Sequence, residues 1–253
     1  MRSEQDMVAY ALEIDPALLP FVPELLADLD ELGSDTELIV DAVRALQLPK
    51  TARVLDLGCG KGATSIALAQ ILGLHVVGVD LFAPFIELCR ERADEAGVGH
   101  RCTFRCADIR KLSGEIEPAD VAIFAALGDV LGPLDATIGV IRQLVKPGGH
   151  MIISDDFLED EATTSLPSYD EYVSHEETLR RLQAHGDIIV REIIEPEAEE
   201  EDEGALIRRR ALALAEKHPE LAEAFRRFAD DQDRAYEYMA EHLVAAIWVV
   251  RRV

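Results

Sequence analysis

VLDLGCGKGAT, residues 54–64, decides how this chain is read. An apolar run ends at Leu57, and Gly58, Gly60 and Gly62 follow with Cys59 and Lys61 between them. Helix-forming sequence resumes just after Gly62. A strand that ends in a glycine loop and turns into a helix offers unbonded backbone N–H groups to a ligand. Gly58 and Gly60 permit the tight turn and the close approach. The loop therefore reads as a nucleotide seat. A phosphate loop is excluded, because Lys61 is not followed by Ser or Thr. The dinucleotide pattern G-x-G-x-x-G is met at 58 and 60, with a tolerated alanine at 63. Asp56 counts against it, since a carboxylate in a partly desolvated strand end repels a pyrophosphate. It suits a ligand with a cationic end.

Outward from the loop, strand and helix patterns alternate. ARVLDLG, LHVVGVD, RCTFRCAD, ADVAIFAA and HMIISDDF read as strands. TSIALAQILG, APFIELCRERADEAG and LDATIGVIRQLVKPGG read as helices, the last closed by a Pro-Gly-Gly turn. Such alternation predicts βαβ units, a parallel sheet, and a ligand outside the carboxyl ends of the strands. Residues 1–50 read as helices punctuated by proline. LLPFVPELLADLDEL is apolar at helical spacing after Pro23, and Ser34 or Asp35 caps the next helix. After Phe157 come a polar segment, a helix over SHEETLRRLQAHG and a sixth strand, DIIVREII. The acidic run 195–204 reads as a solvated loop. Helices over 205–241 break near His218-Pro219, and LVAAIWVVRRV closes the chain as a seventh strand.

Acids mark the next two strand tips. Asp80 ends the second strand, where a carboxylate suits a ribose diol. Asp108 ends the third, where it can accept from an adenine amino group while Ile109 covers the ring. VLDLGCGKG, VVGVD, FRCADI, ADVAIFAA and LVKPGGHMIISDD together resemble the successive motifs of class I S-adenosylmethionine-dependent methyltransferases, over about residues 38–157. The resemblance implies an α/β, Rossmann-like three-layer sandwich. Its seven-stranded, mostly parallel sheet has an antiparallel last strand inserted beside the sixth. It implies one domain over 1–253: a helical cap at 1–50, a cofactor-binding core at 51–157, a variable region with a late strand and helical insertion at 158–241, and a final strand at 242–253. It also implies S-adenosylmethionine as cofactor. Asp56, Gly58, Cys59, Gly60 and Gly62 would hold the methionine end, Asp80 and Leu81 the ribose, Asp108 and Ile109 the adenine. Ala125 would lie near the sulfonium.

Methyl transfer from a sulfonium is an in-line displacement in which the protein mainly positions the acceptor and excludes water. Family members that methylate nucleic-acid amino groups carry Asn/Asp-Pro-Pro-aromatic after the fourth strand. Here Ala125-Ala126-Leu127-Gly128 stands there, which points to a small-molecule acceptor. Asp129, Asp155 and Tyr169 are candidates for its pocket, with His175 a further candidate base that reads as a surface residue. Asp155-Asp156 occupies the place of the acidic pair of metal-dependent O-methyltransferases, but their acid after the fourth strand is missing, so no metal is expected. The catalytic residue stays unassigned. Two other readings compete: a non-catalytic adenosylmethionine-binding protein and a nicotinamide-dependent oxidoreductase.

Bulk properties bound the partners. The 253 residues carry a formal net charge of −24 and are 49% hydrophobic. A surface this acidic repels phosphate backbones and anionic lipid, so neither nucleic acid nor membrane is an expected partner. No apolar run reaches spanning length and no signal-type core opens the chain, so a cytoplasmic location is expected. A homodimer is compatible with the aromatic stripe of FRRFADDQDRAYEYMAEH. Of the four cysteines, none forms a CxxC pair. Cys102 and Cys106 flank Phe104 on one strand face and are expected to be buried free thiols.

Overall fold

The computed structural model describes residues 3–159, 169, 172–196 and 203–253. In chain order its α-helices are α1 (Glu4–Ala11), α2 (Val22–Leu25), α3 (Thr36–Ala45), α4 (Ala63–Ala67), α5 (Ala83–Glu95), α6 (Leu134–Ile141), α7 (His175–Leu182), α8 (Glu203–Lys217) and α9 (Ala222–His242). The strands are β1 (Arg53–Leu57), β2 (His75–Asp80), β3 (Cys102–Cys106), β4 (Ala119–Ala125), β5 (Val145–Leu158), β6 (Ile188–Ile194) and β7 (Leu243–Arg251). Two compact units form, Met1–Leu29 with Pro196–Leu243, and Asp30–Glu195 with Val244–Val253.

In the first unit α8 and α9 pack together, with Ala211, Leu214 and Phe225 buried. Phe21 sets its ring edge-on to His218 at 4.7 Å and to Phe225 at 5.2 Å. Arg210 donates to the carbonyls of Leu25 and Ala27 and pairs with Asp28 at 2.8 Å. The helix expected after Pro23 ends at Leu25. Pro20 and Pro23 withhold amide donors, so a 3-10 turn over Pro16–Phe21 precedes the short α2, and Asp28 takes a left-handed φ of +58°. Of the acidic run, 197–202 lie outside the described residues; α8 begins at Glu203.

The second unit holds the sheet, in the order β3-β2-β1-β4-β5-β7-β6. β1 pairs in parallel with β2 and with β4, β2 with β3, and β4 with β5. β7 runs antiparallel to β6. Alternation along the strands sends side chains to two cores. Val54, Val76, Val121, Ile123 and Ile247 pack with Ile39, Val43 and Ile86 of α3 and α5. Leu55, Leu57, Val79, Phe124 and Trp248 pack with Ile138 and Ile141 of α6. Asp35 caps α3, its carboxylate accepting from the Leu38 N–H at 2.9 Å.

Two expectations are corrected here. The helix before the fifth strand stops at Ile141, a 3-10 turn covers Arg142–Leu144, and β5 begins at Val145, so Lys146-Pro147-Gly148-Gly149 lies within the strand. Val145 pairs with Ala119, the register slips, and pairing resumes at Val121 with His150. Gly149 fits the slip because a Cβ there would stand 2.6 Å from the Asp120 carbonyl. The thiols of β3 also differ. Phe104 is buried, Cys102 is half-buried and Cys106 is exposed. β3 is an edge strand, so only its centre is covered. The buried thiols are Cys59 and Cys89.

Candidate functional site

The strand order reverses between β1 and β4, and the segments leaving these strands diverge to open a crevice. Gly58 (φ +69°), Gly60 (φ +50°) and Gly62 (φ +82°) all adopt left-handed backbone, which glycine takes without steric cost. The N–H groups of Gly58 and Cys59 both donate to the Val79 carbonyl, at 2.7 and 3.0 Å. That shared acceptor pins the loop to the tip of β2. Gly62 caps α4, and its carbonyl accepts from Ile66 at 2.9 Å. Leu127 lies so close that a Cβ on Gly58 would stand 2.5 Å from its methyls.

The three acids sit at the three strand tips, each in a different state. Asp56 is buried, and among the described residues the donor to it is the Ser65 hydroxyl of α4 at 2.6 Å. Burial pushes its carboxyl up to about 6; the Ser65 bond opposes the shift and neighbouring Asp80 adds to it. A buried carboxylate with so little compensation is suited to an ammonium. Asp80 accepts from the Gly60 N–H at 2.9 Å and the Phe82 N–H at 2.8 Å. Burial raises its carboxyl in spite of these bonds and of the Leu81 backbone bond. Asp108 is buried at the head of the 3-10 turn Ile109–Lys111. Its hydrogen bonds to Arg110 hold its carboxyl below the usual range.

The remaining predicted residues fall around this frame. Cys59 is buried beside Cys89, whose thiol donates to the Gly60 carbonyl at 3.2 Å. The bond with Cys89, then burial, then the charge of Asp56 push the Cys59 thiol well up, so it is a packing group and not a nucleophile. The Leu81 carbonyl accepts from the Cys106 thiol at 3.5 Å. Ile109 is buried in the α6-side core. Ala125, half-buried, ends β4, and Ala126 beyond it takes φ +51° with its N–H donating to the Ser154 carbonyl at 3.0 Å. A left-handed non-glycine residue at a strand exit is a strained feature typical of functional loops.

A cleft open to solvent lies beyond β4 and β5 and includes Asp129, Asp155, Asp156, Thr137, Tyr172 and Arg181 in its wall. Asp129 and Asp155 are thus brought together. Tyr169 is not in that wall; it is buried and stacks its ring at 5.8 Å on Tyr172, which is. His175 lies apart, paired with Glu192 at 2.6 Å. Sequence reading passed over Ser65 and Arg110. Each is a polar neighbour of a predicted acid, Ser65 in the first turns of the following helix and Arg110 two residues on. That spacing was the available signal. Asp156 was noted only as half of a metal pair; burial raises its carboxyl to about 6.

Comparison with known proteins places this site in a family. The family model described as "Methyltransferase domain" matches residues 48–239. The ribosomal protein L11 methyltransferase of Pasteurella multocida is 32% identical over 117 residues, 46% of this chain and 37% of that protein. The ubiquinone biosynthesis O-methyltransferase of Azorhizobium caulinodans is 32% identical over 141 residues, 56% of this chain and 51% of that one. The chain thus spans about a third to a half of the length of these curated relatives. A SAM-dependent methyltransferase from Geobacter sulfurreducens, solved in complex with S-adenosyl-L-homocysteine, superposes with a TM-score of 0.78 at 23% identity, covering 93% of this chain and 98% of that one. The seven-stranded order, the left-handed glycine loop and the family match agree: the chain belongs to the methyltransferase domain family and is a class I, S-adenosylmethionine-dependent methyltransferase domain.

Proposed function

We propose that this domain transfers a methyl group from S-adenosylmethionine to a small molecule by in-line displacement. One observation carries the cofactor half of this reading: the buried carboxylate of Asp56 stands directly before the glycine loop, with the Ser65 hydroxyl its donor among the described residues. That charge is the complement of an ammonium and the opposite of a phosphate site. On this reading Asp56 and the loop from Gly58 through Cys59 and Gly60 to Gly62 receive the amino-acid end. Asp80 and Leu81 take the ribose, Asp108 and Ile109 flank the adenine, and Ala125 borders the sulfonium. The cofactor supplies the activated methyl carbon; the chain orients the acceptor and keeps water out.

The acceptor half rests on the cleft. Asp129, Asp155 and Asp156 make its wall acidic, and Glu177 engages the guanidinium of Arg181 at 2.9 Å. A neutral or cationic acceptor fits that field better than an anionic one. The net charge of −24 likewise supports the expectation that nucleic acid and anionic membrane are not partners. No helix among the described residues is long and apolar enough to cross a membrane.

Thermal melting with S-adenosylhomocysteine tests the cofactor half. At a hundred times Kd the ligand adds about 2.7 kcal/mol to stability, so the melting temperature rises by several degrees; no rise at millimolar ligand refutes the seat. Incubation with methyl-labelled cofactor and a fractionated cell extract tests the acceptor half. Label in the low-molecular-weight fraction is the expected result, and label confined to protein refutes it.

A further inference from the structure

Among the three strand-tip acids, Asp108 differs in how fully its carboxylate is occupied. Oδ1 accepts from the Arg110 backbone N–H at 3.0 Å and from Arg110 Nε at 2.8 Å. Oδ2 accepts from Arg110 Nη2 at 2.7 Å and has Lys111 Nζ at 3.4 Å. An ionised carboxylate offers about four lone-pair sites, so these donors account for all of them. Three of the four come from one residue, and its two side-chain donors form the planar fork that matches a carboxylate edge. The Asp108 side chain is 4% exposed, whereas that of Arg110 is 26% exposed and that of Lys111 is 57% exposed. Lys111 is therefore the weakest member: the longest contact, the most hydrated, on a flexible stem.

We infer that Arg110 is a positioning residue for recognition of the cofactor's base. Its guanidinium fixes the plane and rotamer of the Asp108 carboxylate, and an exocyclic amino group takes the Oδ2 direction that Lys111 holds. The inference rests on the reading of this site as an S-adenosylmethionine seat. A carboxylate fixed in this way accepts from the amino group at C6 of adenine. It meets the carbonyl oxygen at C6 of hypoxanthine as acceptor against acceptor, which leaves both unpaired. Freed from Arg110, the carboxylate turns toward solvent and reads the base poorly. Lysine at 110 supplies charge but cannot form the fork.

Titration calorimetry of the full chain with S-adenosylhomocysteine and S-inosylhomocysteine tests this. The readout is the ratio of the two affinities, which a general loosening of the fold would leave alone. The wild type is expected to prefer the adenine ligand. Arg110→Ala and Arg110→Lys are each expected to lower the ratio about ten-fold or more, and Lys111→Ala to keep or raise it. Arg110→Lys keeps the side-chain charge and length, so it serves if the alanine variant does not fold. A ratio retained in both Arg110 variants, or lost in Lys111→Ala, overturns the inference. Asp108→Ala separates the two levels of failure. If it collapses the ratio while the Arg110 variants do not, only the role of Arg110 falls. If it too changes nothing, or if the wild type shows no preference, the base seat itself falls and the inference with it.

Discussion

At the scale of single residues, three carboxylates with the same chemistry are tuned apart by their surroundings. Asp56 has a folded-state value of about 6 against an ordinary 3.8. Between those values the folded state holds a proton that the unfolded state has lost, so ionising Asp56 at neutral pH opposes folding in the free protein. A ligand ammonium relieves that cost only while Asp56 is charged. The affinity for S-adenosylhomocysteine is therefore expected to fall about ten-fold between pH 7 and pH 5, by calorimetry. Asp80, also raised by burial, acts in the same direction. Ser65→Ala removes the bond that lowers Asp56, so the midpoint should move to higher pH; an unmoved midpoint would place the titration elsewhere. Asp80→Ala removes the acceptor for both the Gly60 and Phe82 N–H groups. At about 1–3 kcal/mol for charged hydrogen bonds, cofactor affinity should drop ten- to hundred-fold, and an unchanged Kd would refute the ribose assignment.

At the scale of elements, two junctions hold the sheet that carries these residues. The register slip between β4 and β5 closes over Gly149, where the nearest atom to an added Cβ is backbone and cannot rotate away. Gly149→Ala should cost about 1–3 kcal/mol in urea unfolding, although Gly149 lies in the first part of β5 and not at its carboxyl tip. At the far edge, Arg142 closes α6 onto the start of β6. Its Nε and Nη2 donate to Asp187 at 3.0 and 3.2 Å, the Asp187 side chain is fully buried, and the Val253 N–H donates to it at 3.1 Å. Arg142→Ala leaves that carboxylate buried without its counter-charge, an expected loss of about 3–5 kcal/mol. Replacing both partners by apolar residues should be milder, and equal losses would show that the pair itself, not the orphaned charge, carries the stability. The misread helix end at 142–149 has the same origin. Pro147-Gly148-Gly149 is a breaker by local chemistry, yet the Gly148 N–H donates to the Arg252 carbonyl at 3.0 Å and the Gly149 carbonyl accepts from the Arg252 N–H at 2.9 Å, which draws the segment into the strand.

At the scale of the whole molecule, the chain carries its net charge of −24 on a surface where most ion pairs are exposed. Exposed pairs contribute little, so the long-range term is self-repulsion. Raising sodium chloride from low to about 0.15 M shortens the screening length to about 8 Å. The melting temperature should rise with it, and a fall would mean that attractive pairs outweigh net charge.

The order of elements, the glycine loop after β1 and the three strand-tip acids were legible in the sequence. Each rests on local pattern: apolar alternation, glycine spacing, and an acid at or just past the end of a strand. The seven-stranded, mostly parallel sheet and its antiparallel last strand beside the sixth came with the family resemblance, and the fold bears them out; the order of the other strands was seen only in the structure. Local pattern was silent where a distant partner decides. Cys106 reads as buried but lies exposed on an edge strand. Tyr172, not Tyr169, reaches the cleft. Asp56, Asp80 and Asp108 look alike in sequence, yet one is bonded by a helix hydroxyl, one by loop amides and one by a guanidinium fork. Sequence by itself determined which chemical groups stand at the strand tips, because residue type and strand period fix that. Only the tertiary structure decided their charge states and partners, because burial and the reach of a hydrogen bond depend on what the fold brings within about 3 Å.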